Sequence, residues 1–97
     1  MGIRFHPHYV LEGTDPRAAF ETYGLAPHAW GNGPGDTYDW HGHPYDKVLV
    51  CAKGSITFHA GDGDYPMQVG DRLDIDAGTE HAATVGPYGC ECLEAAR

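Results

Sequence analysis

The chain has 97 residues, 41% of them apolar, with 14 acidic residues against 6 basic ones and a net charge of −8. That length supports one compact domain and not two. Without clustered Lys and Arg, nucleic acid is excluded as a natural partner, because phosphate neutralisation needs such clusters, and no apolar run approaches membrane-spanning length.

The N-terminus, MGIRFHPHYV, lacks the long apolar core of a secretory leader. Its histidines, His6 and His8, flank Pro7, which bars a regular central strand, so the pair reads as surface or edge. TDPRAAFETYGL predicts a helix of about two turns: Thr14 or Asp15 can cap it, Pro16 suits the first turn, and Gly24 can end it. Phe20 and Tyr23 would share one face of that helix. Residues 1–34 are thus expected to form an N-terminal segment packing on a barrel or a partner, and 35–97 the barrel itself.

From residue 37 onward the pattern is one of short strands cut by turns. Strands are expected at 37–41, 47–52, 55–60, 65–69, 72–75, 80–85 and 90–95. Turns are expected at Gly54-Ser55, at 61–64 (GDGD), at Gly70-Asp71, at 76–79 (DAGT) and at 86–89 (GPYG). Close strand spacing with Gly-rich turns predicts an all-β sandwich or barrel. In KVLVCA, Val48 and Val50 oppose Lys47, Leu49 and Cys51. If Val48 and Val50 lie outside the barrel, either the N-terminal segment or a second copy must cover them, and a homodimer is the expectation. The three cysteines include no CxxC pair and read as small buried apolar residues, consistent with a reducing cytoplasm.

His41 and His43 are two apart and point the same way if the strand continues through them, close enough to chelate one ion. Imidazole suits zinc, nickel, copper, iron and manganese to differing degrees. His81, opening the strand after the DAGT turn, is the best partner from elsewhere in the chain. His59 ends a strand and reads as surface; His28 stays open.

These residues fall into a longer pattern. Gly35, five residues, His41-Gly42-His43, three residues, Lys47, six residues and Gly54 form one stretch. Gly70, five residues, Asp76-Ala77-Gly78, two residues, His81, three residues and Val85 form another. The pair, in this order and covering 35 to about 95, resembles the two motifs of a small single-domain cupin. The resemblance implies a double-stranded β-helix, a jelly-roll barrel. It also implies one divalent metal held by His41, His43 and His81. Three departures stand out. Lys47 occupies the place of the first-motif Glu ligand, while Asp76 and Val85 replace the second motif's Pro and Asn.

By parity Lys47 points into the barrel, and Leu49, Cys51 and Asp46 are expected with it in the pocket. Three readings of Lys47 are open. It can swing away and pair with Asp46, Asp39 or Glu94, leaving a three-histidine metal centre with open positions. It can hold an anionic ligand in a barrel without metal. It can act as a base or Schiff-base nucleophile. The leading expectation is metal-assisted chemistry on a small molecule, with oxygenase, isomerase and lyase reactions all open. The alternative is a non-catalytic small-ligand or anion-binding barrel.

Overall fold

The structure, a computed structural model, describes residues 2–97. Among them the chain forms seven strands and one helical turn: β1 (Ile3–His6), α1 (Ala18–Glu21), β2 (His28–Asn32), β3 (Thr37–His41), β4 (Lys47–Ala60), β5 (Gly63–Gln68), β6 (Arg72–Ile75) and β7 (His81–Ala96). All pairings are antiparallel. β4 and β7 form the spine, running from Lys47↔Ala96 to Ala60↔His81. On its other edge β4 pairs first with β6 and then with β5. β7 carries β2 and β3 on its far edge, and β1 closes onto β6. This is the expected jelly-roll barrel.

The spine departs from the strand-and-turn reading in one respect. Gly54-Ser55 and 86–89 are not turns; β4 and β7 continue through both. The register between them shifts between Cys51/Lys53 and Gly54/Ile56. Such bulges bend a strand without ending it. Gly54 (φ +67°) and Gly89 (φ +80°) face each other at this corner, and a Cβ on Gly54 would lie 2.0 Å from the Gly89 carbonyl oxygen. Close backbone approach, not chain reversal, is why glycine stands at both places.

Alternation along β4 sorts its side chains into two cores. Leu49 and Cys51 join Ile56, Phe58, Met67, Leu73 and Cys92 inside the barrel. Val48 and Val50 face outward with Leu93 and Ala95, and are covered by Ala19 and fully buried Phe20 of α1. The chain therefore covers this face with its own N-terminal segment. The helix is shorter than the expected two turns. Asp15 Oδ1 accepts the Arg17 N–H at 3.0 Å at its start, and Gly24 (φ +67°) ends it, with Leu25 N–H donating to the Phe20 carbonyl at 3.0 Å. So short a helix depends on its packed face. Of the two aromatics expected to share a face, Phe20 is the buried anchor, whereas Tyr23 lies beyond the end of α1, is exposed, and stacks under Arg72 at 4.9 Å.

The N-terminal segment also contributes strands that alternation alone did not reveal. β1 is an edge strand ending at His6 before Pro7, as the proline requires. β2 lays His28 opposite Glu94 and Trp30 opposite Cys92. Arg72, almost fully buried, makes a bidentate pair with Asp74 at 2.7 and 3.0 Å beneath this segment. Among the described residues no helix is long and apolar enough to cross a membrane.

Candidate metal centre

β3 delivers His41 opposite His81, the first residue of β7. His43 follows on the 42–46 loop, which is docked onto the 76–79 turn. The His43 carbonyl accepts the Gly78 N–H at 2.8 Å, and Asp46 Oδ1 accepts the Ala77 N–H at 2.7 Å. The two motif segments are thereby locked together at one end of the barrel. The ring centroids of His41, His43 and His81 lie 4.4 to 5.5 Å apart, and one nitrogen from each falls within 4.8 Å of the others.

Hydrogen bonding fixes which nitrogens are free. His41 Nδ1 lies 2.6 Å from the Asp39 carbonyl oxygen and His81 Nδ1 lies 2.9 Å from that of Thr79. A carbonyl only accepts, so each Nδ1 is the donor and each Nε2 keeps its lone pair. Nε2 of His43 and of His81 are buried with no hydrogen-bond partner among the described residues. Buried polar atoms are rarely left this way, and an N-donor set with carbonyl-held Nδ1–H groups is the usual dress of metal-binding imidazoles. Burial, with smaller contributions from Lys47 and the neighbouring rings, lowers the His81 pKa to about 4, against the pull of the Thr79 carbonyl. His43 is lowered by burial first, then by Lys47 and His41. Both are therefore neutral near pH 7, the form that binds metal.

Lys47 is 5% exposed, and its Nζ lies 3.4 Å from Glu94 Oε1, an ion pair across the first half of the spine. The same oxygen accepts the Trp30 Nε1–H at 3.1 Å. Glu94 is thus the carboxylate that Lys47 pairs with, and the pairing keeps Lys47 in the wall of the histidine cavity rather than swinging it away.

The histidines open into a cavity of about 310 Å³ whose walls include Trp30, Tyr38, Phe58, Ala83, Lys47, Glu94 and His28. Lys47 is part of its lining. Leu49, Cys51 and Asp46, read from the sequence as pocket residues, are not among the lining residues. Leu49 and Cys51 do share the inward face of Lys47. Two residues of strand advance about 6.7 Å, however, and that carries them into the fully buried core, where Cys51 Sγ contacts the Lys53 carbonyl at 3.4 Å. Asp46 is spent on holding the 76–79 turn and, through its carbonyl, the Arg97 N–H. His59 sits away from the site, bonded to Asp64 and Thr84. His28, left open by the sequence, lines the mouth. Trp30 and Tyr38 meet edge to face at 5.8 Å; both come from strands β2 and β3, where no motif spacing marks them.

Comparison with known proteins agrees with this geometry. Residues 26–87 match the family model described as "Cupin domain". No curated protein matches significantly. Among solved structures, the chain superposes on a cupin-2 domain containing protein from Shewanella frigidimarina. There the identity is 16%, the TM-score 0.62, and the match covers 86% of this chain and 92% of that one. It superposes on the polyketide cyclase RemF from Streptomyces resistomycificus at 20% identity and TM-score 0.67, covering 74% and 53%. A structure of the DMSP lyases RdDddP and RnDddQII matches at 26% identity and TM-score 0.69, covering 75% and 38%. The chain thus spans less than two thirds of the length of the latter two. The two motif segments meet in one histidine cluster at the end of a jelly-roll barrel, and the family model spans most of the chain: the protein belongs to the cupin family.

Proposed function

We propose that the protein binds one divalent metal ion through Nε2 of His41 and His81 and an imidazole nitrogen of His43, and uses it on a small molecule held in the adjoining cavity. The observation that carries this is the pair of buried, partnerless nitrogens, His43 Nε2 and His81 Nε2, in a cluster where two of three rings are held by backbone carbonyls. Three protein ligands leave positions open, the arrangement of catalytic rather than structural centres. When bound, the metal would supply Lewis acidity toward a ligand oxygen. The chain's own residues orient that ligand: Trp30, Tyr38 and Phe58 provide ring surfaces, and Lys47 and Glu94 a polar wall.

The activities named for the similar structures, a cyclase and lyases, belong to those proteins. They support a small-molecule reaction here only at the level of class. The second reading, an anion-binding barrel without metal, is favoured by the burial of Lys47 in the wall and weakened by Glu94, which neutralises it.

Metal analysis of protein purified without a histidine tag tests the proposal. One equivalent in the wild type and none in His81→Ala is expected. Metal-free wild-type protein whose cavity holds an anion against Lys47 would establish the second reading instead.

A further inference from the structure

We propose that Glu94 is the proton acceptor of this cavity, and that the ligand it serves is a small, flat, largely apolar molecule bearing a weakly acidic hydroxyl. This rests on the metal reading above and goes beyond it, because it gives a role to a residue outside both motif segments.

The carboxylate of Glu94 is held asymmetrically. Oε1 accepts both the Trp30 Nε1–H and a Lys47 Nζ–H, whereas Oε2 accepts no hydrogen bond from any described residue. Two donors on one oxygen fix the plane of the carboxylate and leave the other oxygen for a group in the cavity that Glu94 lines. The free atom is an acceptor, so what it can take from a ligand is a hydrogen-bond donor.

Charge makes the same selection. Lys47 and Glu94 cancel, so this wall offers no net attraction to an anion, and an anion would meet a free carboxylate oxygen. A neutral O–H suits it. Cavity size and walls set the rest of the molecule: about 310 Å³ is at the small end of small-molecule sites. The rings of Trp30, Tyr38 and Phe58 favour a flat apolar body.

Glu94 is not a fourth member of the histidine cluster. Among the described residues the grouped metal-binding atoms are those of His41, His43 and His81. A lysine stands where a ligand carboxylate would be, and the carboxylate it pairs with comes from β7 and faces the cavity instead. On ligand binding the hydroxyl proton passes to Glu94 Oε2, giving the neutral carboxylic acid. The electron pair stays on the ligand oxygen. Lys47 and Trp30 keep their hold on Oε1 throughout and act as positioning residues.

The test is titration of nitrocatechol, whose visible absorbance reports its protonation, into zinc-loaded protein at a pH below the probe's first pKa, where the free probe is neutral, with zinc content measured on every sample. Wild type, Glu94→Gln, Lys47→Met and the double variant Lys47→Met with Glu94→Gln are compared; the double variant leaves no buried charge unpaired. One zinc per chain in all four is expected. Wild type is expected to bind the probe deprotonated, and both variants lacking the Glu94 carboxylate to bind it at least about tenfold more weakly, with a more protonated spectrum. Lys47→Met alone should weaken binding less and keep the deprotonated spectrum. Unchanged affinity and spectrum in Glu94→Gln and the double variant would overturn the proposal, and so would loss of zinc in Glu94→Gln, which would make the residue a ligand. Zinc absent from the wild type would overturn the metal reading first, and the proposal with it.

Discussion

Lys47 and Glu94 face each other on neighbouring strands at the wall of a histidine-lined cavity, and neither makes sense alone. A buried ammonium without its carboxylate leaves an uncompensated charge, which commonly costs 3–5 kcal/mol. Exchanging the lysine for the family's carboxylate therefore has two opposite expected effects. Lys47→Glu should raise metal affinity on the order of tenfold or more, measured by competition with a chromophoric chelator. The metal-free variant should unfold at lower denaturant concentration, because the introduced carboxylate would face Glu94. Equal affinity in variant and wild type would show that the position does not reach the metal. The three histidines were legible in the sequence because two spaced motifs bracket them. Glu94 was legible only as one of three salt-bridge candidates. His28, Trp30 and Tyr38 carried no signal, since cross-strand partners on β2, β3 and β7 meet through register, and register is a property of the fold rather than of local spacing.

The elements repeat the lesson at larger scale. Glycine is among the strongest turn signals in a sequence, and Gly54 and Gly89 were read that way. In the barrel they are paired bulges where two long strands bend past each other. Gly54→Ala places a methyl group 2.0 Å from a carbonyl oxygen that belongs to backbone and cannot step aside. A loss on the order of 3 kcal/mol is expected by urea unfolding; a change within experimental error would mean that the corner is open. The short helix is placed by one side chain. Phe20→Ala removes the cap over Val48, Val50 and Leu93 and should cost about 3 kcal/mol or more, read from the same unfolding curves. The outward face of β4 was correctly separated from the inward face by alternation, and the residues that cover it lie in the same chain.

At the scale of the whole molecule, site chemistry and stability are linked. His81 titrates near 4 when folded, against an ordinary value of 6.5. Between those values the unfolded chain binds more protons, so stability is present above about pH 6.5 and is lost as pH falls toward 4. The shift corresponds to roughly 3 kcal/mol in the metal-free protein, and thermal melts between pH 7 and 4 should show it. His81→Gln should flatten that dependence, and a wild-type melt independent of pH would contradict it. Metal binding adds stability by mass action: zinc at about a hundredfold its dissociation constant contributes about 2.7 kcal/mol, or a rise of roughly 10 °C or more for a domain of this size. The most direct measurement is anomalous diffraction from a crystal of tag-free protein, collected on both sides of the metal's absorption edge. A single peak bonded to His41, His43 and His81, with Glu94 outside bonding distance, is the result expected. A peak elsewhere, such as at His6 and His8, or no peak in a cavity where Lys47 holds an anion, would contradict the assignment of this site.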